Sequence, residues 1–459
     1  NTPLRMGERL KSSIKSLVLV SVLLGLAPTA SEAGSVFYLG EAKAVQESAL
    51  SAYDYVVDGS VFSTAIGGQV RLYVTSGMGD MRLGTLMLSG SSLETLGSTV
   101  TPILYPGCPD PTFYQGVPVA SCPAGTDRSS TAARVYDKCG AWLLGAITDG
   151  GTSGVGLYRA EELCDYNAGG GTLKSVAVAE SVNSGDRFRK VGQVISANAT
   201  ELPATLGATP STSTGVNGAL GQGDHSVIEV NGVPYLYFAA SSPGNGTGVA
   251  RLTNGAWFKW DGSGFNQPGR GGTAADTHAW ARSASKNATD LYVVNIDSAD
   301  PINRISYWTS PKTSGTSFTK SNSVLMAASA TGSLERIEYP SIIPPGGDSY
   351  RHSWTTSFYL FYGLTDPYFN NQTFMMASDQ RRRRLVMRKV DVVSGSASDV
   401  SLTGLSRYFD SNRSKHRATT QPPESGYALE SVLGYLYNEA GTGRVELMEC
   451  YDPTKTGYR

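Results

Sequence analysis

The sequence predicts an all-β chain folded as a β-propeller, and three observations predict it. The first is a phrase that recurs with variations. Asp58-Gly-Ser-Val-Phe precedes Val70-Arg-Leu-Tyr-Val-Thr-Ser76, and Asp224-His-Ser-Val-Ile precedes Val233-Pro-Tyr-Leu-Tyr-Phe-Ala239. Glu338-Tyr-Pro-Ser-Ile-Ile precedes Phe358-Tyr-Leu-Phe-Tyr-Gly363. Each copy reads as an acid, a short apolar run, a turn and a second strand, which makes a hairpin. Hairpins recurring tens of residues apart point to a radial array. The second observation is composition: 53 Gly, only 17% charged residues, and 24 Tyr against 13 Phe, a turn-rich β profile. The third is the scarcity of helical periodicity, with residues 42–50 the one convincing helical stretch, and a short one.

The elements group into blade units. The first runs from Tyr55 to about Leu104 and includes Arg82-Leu-Gly-Thr-Leu-Met-Leu88. The second holds Ala141-Trp-Leu-Leu-Gly-Ala-Ile147, Ser175-Val-Ala-Val-Ala-Glu-Ser181 and residues 188–195. The third starts at Asp224 and includes Gly248-Val-Ala-Arg-Leu252 and Trp257-Phe-Lys-Trp260. The fourth holds Asp290-Leu-Tyr-Val-Val-Asn295 and Arg304-Ile-Ser-Tyr-Trp-Thr-Ser310. The fifth starts at Glu338 and includes Phe374-Met-Met-Ala-Ser378 and Leu385-Val-Met-Arg-Lys-Val390. A final run over 427–449 is either a sixth unit or strands that close the ring; five blades is the preferred count and six also fits. Segments 106–132 and 200–222 are rich in Pro, Gly, Ser and Thr and read as loops over one face. No linker divides the chain, so 34–459 is expected to be one propeller domain with a Cys-containing insertion at about 106–170.

The N-terminus reads as a targeting segment. Arg9, Lys11 and Lys15 precede an apolar core at 17–26, and Ser31-Glu-Ala33 before Gly34 fits a small-x-small cleavage site. The apolar stretch is short for a membrane span. Residues 1–33 are therefore expected to be a signal peptide with its upstream residues, and the mature chain to be secreted or periplasmic. In such a compartment Cys108, Cys122, Cys139 and Cys164 would form two disulfides. Cys108 with Cys122 and Cys139 with Cys164 is one of three connectivities. Their spacing matches no common zinc pattern, and Cys450 reads as a small buried residue. With 38 Lys and Arg against 39 Asp and Glu, net charge is −1, so no global field recruits nucleic acid or membrane.

Asp58, Asp224 and Glu338 carry the chemistry. Each acid directly precedes an apolar run, a position that faces the axial well on an inner blade strand. A single such acid more often caps a turn; three in one context form a set. Glycoside cleavage uses two carboxyls on opposite sides of the scissile bond, one protonated and one ionised. A third can hold geometry and tune the donor. The extra methylene of Glu338 gives it reach toward a leaving-group oxygen.

This pattern resembles the five-bladed propeller glycosidases of the family 43, 32 and 68 furanosidase group. Their hallmark is an Asp phrase in the first blade, a second Asp phrase midway and then a Glu phrase. The matches here are Asp58-Gly-Ser, Asp224-His-Ser and Glu338-Tyr-Pro-Ser, with Gly59 and His225 where Pro is usual. The resemblance implies Asp58 as base or nucleophile, Asp224 as orienting acid and Glu338 as general acid. It implies no cofactor, and it allows a structural Ca2+ in the axial channel with help from a mid-channel His. His225, next to Asp224, and His278, beside Trp280, are candidates for lining the axis and binding substrate; a hydrogen-bonded structural role is the plainer reading of each His. Trp257, Trp260, Trp280, Trp308 and Trp354 are candidates for sugar stacking, although at blade spacing most read as inter-blade core.

The expected function is hydrolysis or transfer of a glycosidic bond in an oligo- or polysaccharide by a secreted monomer, furanosides being favoured. One rival is a non-catalytic propeller that binds carbohydrate or another partner. A second is a six-bladed sialidase-like enzyme, which needs arginines converging on the same well. The loose turn phrase at Asp186 gives it slight support. Arg381-Arg-Arg-Arg384 reads as a solvated turn, its functional alternative being a patch for an anionic substrate. Nucleophile-elbow, zinc-helix, P-loop and dinucleotide motifs do not occur.

Overall fold

The structure is a computed structural model. It describes residues 35–437 with breaks, the longer ones at 77–83, 105–112, 119–136, 163–171, 199–218, 242–245, 298–303, 328–335, 366–382, 395–401, 411–414 and 420–427, and it also describes 451–452 and 457–458. The expected signal peptide, all five cysteines, Trp280 and the run 374–378 lie outside the described residues.

Two-residue turns make several hairpins inevitable. Gly67-Gly68, Asn231-Gly232 and Asn254-Gly255 all have positive φ at both positions. Each pair joins strands in tight register, Ile66 opposite Gln69, Val230 opposite Val233 and Thr253 opposite Ala256. This is the type I′ geometry whose twist matches that of β-strands, and Gly and Asn adopt it most cheaply.

Hairpins build five antiparallel sheets, of which the second and third join through one parallel pair into a continuous nine-stranded sheet. The first contains Phe62–Ile66, Gln69–Thr75, Thr85–Gly90 and Thr101–Leu104. The second contains Gly140–Thr148, Gly154–Glu162, Thr172–Ser181 and Phe188–Ile195. The third runs through Ala219–Val230, Val233–Ser241, Gly246–Thr253, Ala256–Trp260 and Phe265–Pro268. The fourth holds Ser283–Lys286, Asp290–Asp297, Arg304–Pro311 and Thr319–Ala327. The fifth holds Arg336–Ile343, Ser357–Thr365 and Arg383–Ser394, and Ser35–Leu39 completes it from the other end of the described chain. Leu402–Asp410, Lys415–Thr419 and Ala428–Tyr437 form a separate three-stranded sheet.

The first strands of the five sheets pack on one another in a closed cycle, each against the next and the fifth against the first. The core follows the same cycle. One apolar cluster joins the first and second sheets through Phe62, Tyr73, Leu143, Tyr158 and Phe188. Others join second to third through Leu157, Leu236 and Trp257, and third to fourth through Tyr237, Val293 and Trp308. The remaining two join fourth to fifth through Ile305, Trp354 and Leu360, and fifth to first through Phe361, Leu72 and Val74. The molecule is a β-propeller with its core in the wedges between sheets.

Inner strands leave an edge toward the axis, and a buried edge N–H is expensive to leave unpaired. Side-chain hydroxyls supply the partners. Val61 N–H donates to Ser341 Oγ at 3.0 Å, Ala284 N–H to Ser226 Oγ at 3.0 Å and Ile342 N–H to Ser283 Oγ at 3.4 Å. Leu143 N–H donates to Thr85 Oγ1 at 2.8 Å. In each case the hydroxyl comes from the preceding sheet in the cycle. Between the second and third sheets, residues 172–174 pair in parallel with 219–221. On the axis a cavity of about 10 Å³ lies among Ser60, Leu144, Ser226, Ser283 and Ile342, room for roughly one water molecule. Ser349 and Tyr350 also line it: Ser349 Oγ accepts from Ser63 N–H at 3.0 Å, and Tyr350 O accepts from Glu229 N–H at 2.9 Å.

Two local expectations need correction. The helix is a single turn, Glu47–Leu50, because Lys43 and Ala44 pair with Met387 and Val386 as strand and Val45 N–H donates to Leu385 O. Residues 219–222, expected in a loop, begin the first strand of the third sheet.

Candidate active site

Asp58 lies just before the inner strand of the first sheet, Asp224 midway along that of the third and Glu338 near the start of that of the fifth. All three stand at backbone irregularities. Asp224 has φ 44° and sits in a register shift between Gly223 and His225. Glu338 opens a second shift that skips to Ser341, with Tyr339 at φ 52°. Val57, before Asp58, has φ 70° and donates its N–H to Thr75 O at 2.8 Å. Left-handed φ in a non-glycine residue costs on the order of 1–3 kcal/mol and clusters at functional sites. A bulge re-aims the side chain it carries, and here the re-aimed side chains are the acids.

Two arginines draw the acids into one cluster. Arg159, on the second strand of the second sheet, pairs through Nη1 with Asp224. Its Nη2 donates to Asp58 O at 3.1 Å and Asp58 Oδ2 at 3.4 Å. Arg383, on the third strand of the fifth sheet, places Nη2 2.6 Å from Glu338 Oε2 and Nη1 3.7 Å from Asp58 Oδ1. Its Nη1 also donates to Val57 O at 2.9 Å. Tyr339 Oη donates to Asp58 Oδ1 at 3.3 Å. Asp58 thus shares one guanidinium with Asp224 and the other with Glu338. Glu161 and Lys174 complete the group: Glu161 Oε1 lies 3.2 Å from Arg159 Nε, and Lys174 Nζ lies 2.8 Å from Asp224 Oδ2 and 3.8 Å from Glu161 Oε1.

Burial dominates the electrostatics. It pushes the Asp58 carboxyl up from its ordinary range, against the opposing pull of Arg159 and Arg383. Burial also works against charge on Arg159, but Asp224, Glu161 and Asp58 more than offset it and hold that guanidinium well above its usual value. Arg159 therefore stays a cation, while the Asp58 proton is held more tightly than that of an exposed Asp.

His225 is fully enclosed, and its Nε2 lies 3.0 Å from Leu157 O. Burial lowers its pKa to about 4, so the neutral ring donates from Nε2. The ring of His225 thus faces the second sheet at Leu157 O and is enclosed by protein on all sides. His278 is mostly exposed at φ 62°, and its ion-pair neighbour is Asp276, 3.9 Å away, not one of the three acids. No group of three or more His, Cys, Asp and Glu side chains among the described residues could hold a metal ion. Trp257, Trp308 and Trp354 are buried in the wedges between sheets.

Sequence reasoning missed Arg159, Glu161, Lys174 and Arg383. Arg159 and Glu161 alternate on one face of a strand whose neighbours Leu157, Tyr158 and Ala160 are buried; charges at i and i+2 in an apolar strand were the available signal. Arg383 sits in the run read as a solvated turn. It begins a strand and is spent on Asp58 and Glu338; Arg381 and Arg382 lie outside the described residues.

No family model and no curated protein sequence matches the chain. The chain is similar to several solved structures. A thermostable family-43 glycoside hydrolase is 13% identical with a TM-score of 0.39, over 82% of this chain and 98% of its own. The catalytic domain of the Coprinopsis cinerea family-62 α-L-arabinofuranosidase is 10% identical with a TM-score of 0.44, over 78% and 98%. The Bombyx mori family-32 β-fructofuranosidase is 11% identical with a TM-score of 0.40, over 82% and 69%. These structural neighbours are glycoside hydrolases; the propeller assignment itself rests on the closed cycle of inner strands.

Proposed function

We propose that this protein is an exported glycoside hydrolase acting on an oligo- or polysaccharide, with furanosides the favoured class. The observation that carries the reading is the linkage of Asp58, Asp224 and Glu338 through Arg159 and Arg383. Three acids from three sheets share one cluster, and glycosidic cleavage works through a pair of carboxyls held close together. In this reading Asp58 is base or nucleophile, Glu338 delivers the proton to the leaving oxygen, and Asp224 orients. Arg383, gripping Oε2, fixes the direction from which Glu338 approaches the scissile bond.

A sialidase would turn its arginines toward a ligand carboxylate. Here both guanidinia are engaged by carboxylates of the protein itself, so the neutral-sugar reading is the better one. The test is turnover by the purified protein on arabinan, fructan and xylan oligomers. Release of sugar from any of them supports the proposal. Binding without turnover on all of them overturns it in favour of a carbohydrate-binding propeller.

A further inference from the structure

We propose that Arg159 is a positioning residue whose planar fork sets the separation and orientation of the Asp58 and Asp224 carboxylates. The inference rests on the glycosidase reading and goes beyond it.

The argument begins with the floor. Arg159 lies over the Trp142 ring, 4.1 Å from its centroid. Trp142 is itself locked: its Nε1–H donates to Ser76 O at 2.9 Å. Gly140 abuts the indole so closely that a Cβ there would fall 1.5 Å from Cζ3. The guanidinium therefore rests on a surface with little freedom to shift. Two of its nitrogens reach two of the acids, Nη1 to Asp224 and Nη2 to Asp58, while Nε lies 3.2 Å from Glu161 Oε1 without hydrogen-bond alignment. Nη2 also holds the backbone carbonyl of Asp58, so the fork fixes main chain and side chain together.

A guanidinium keeps its proton throughout and serves neither as acid nor as base. Arg159 also adds little to stability as such, because buried ion networks are often no more stable than apolar packing of the same volume. What a rigid fork supplies, and a lysine ammonium does not, is direction. Lys174 braces the far side: the parallel pairing of 172–174 with 219–221 brings its Nζ to the other oxygen of Asp224.

The groups facing Asp58 give the test its readout. Arg159 and Glu161 face it from the second strand of the second sheet, and Lys174 from the third strand. Tyr339 and Arg383 face it from the fifth sheet. Arg159 exerts the largest downward pull on the buried carboxyl. Removing its charge moves the acidic limb of the pH–rate profile to higher pH. Keeping the charge without the fork leaves the limb in place and lowers turnover.

The experiment compares Arg159→Lys and Arg159→Met with wild type on the best substrate, with melting curves for each. Arg251→Lys is the control, an arginine stacked on Phe265 away from the acids. For Arg159→Lys we expect kcat to fall by about tenfold to a hundredfold, with little change in KM and an unmoved acidic limb. For Arg159→Met we expect the same loss and an acidic limb raised by about one pH unit. Wild-type kcat in Arg159→Lys overturns the proposal, and so does an unmoved limb in Arg159→Met. If Arg159→Met fails to fold, Arg159→Lys decides alone through kcat. A wild type that turns over no glycan instead removes the glycosidase reading, and the positioning role with it.

Discussion

Two ends of one short phrase behave in opposite ways. In Asp224-His-Ser226 and Glu338-Tyr-Pro-Ser341 the acid stands at a strained kink and meets an arginine. Two or three residues on, the serine lies in regular strand and closes an edge N–H of the next sheet. The acid end stores strain and gathers charge. The serine end is neutral and satisfied. One recurring phrase thus carries a charged, strained element and a neutral, structural one, and the two are separable by mutation.

The largest expected effect is at the acid end. Asp58→Asn should abolish turnover on natural and activated substrates alike, since neither an attacking water nor a glycosyl intermediate forms without that carboxylate. Its melting temperature should stay within about 5 °C of wild type, because the substitution removes a carboxylate whose burial opposes its charge. A collapse of stability in parallel with activity would merge the two ends and break the comparison.

Glu338→Gln comes next. It should lower turnover of natural oligosaccharides by about 10²–10⁴-fold while sparing activated aryl glycosides, whose leaving groups need little protonation. Equal kcat for mutant and wild type on a natural oligosaccharide would remove the general-acid role.

The third effect sharpens the boundary beneath Asp224. His225 is held neutral by burial, its pKa lowered from 6.5 to about 4. Its contribution to stability is complete above pH 6.5 and is lost as pH falls through that window toward 4. Over the full range the loss amounts to about 3 kcal/mol. Denaturant melts from pH 7 to pH 4 should show the decline, and His225→Gln should flatten it.

The smallest effect is at the serine end. Ser226→Ala or Ser341→Ala leaves the N–H of Ala284 or Val61 without its hydroxyl and should cost about 1–3 kcal/mol each. Turnover measured well below the transition should not change. A loss of kcat without a loss of stability would show that the serine end belongs to the site.

The architecture was legible because hairpin turns and strand alternation are local properties, readable at Asn231-Gly232 or in the run 233–239. The acids were legible because an acid before an apolar run breaks the pattern. The arginines were not, since nothing within a few residues of Arg159 shows that it crosses over Trp142 to reach Asp224, 65 positions away. Arg383 was hidden by its neighbours: a run of four arginines looks like a solvated turn until one of them is seen inside a strand. The placement of His225 was missed for the opposite reason. Its neighbour Asp224 turns to Arg159 and Lys174, and the register shift between Gly223 and His225 that turns the ring to Leu157 O has no signature in one sequence.

Ring closure has a consequence for the order in which the molecule is made. Among the described residues Ser35–Leu39 pairs with Arg383–Ser394, and the Arg388 guanidinium reaches the Gly40 carbonyl across 348 positions. A chain emerging from its N-terminus therefore carries that strand unpaired until nearly all five sheets exist. Loop closure over such a span is slow, and an unpaired strand edge is prone to pair with another chain. The fifth sheet is the one that turns an open, adhesive intermediate into a sealed ring, so a premature stop anywhere before residue 383 leaves a product with an edge it cannot bury.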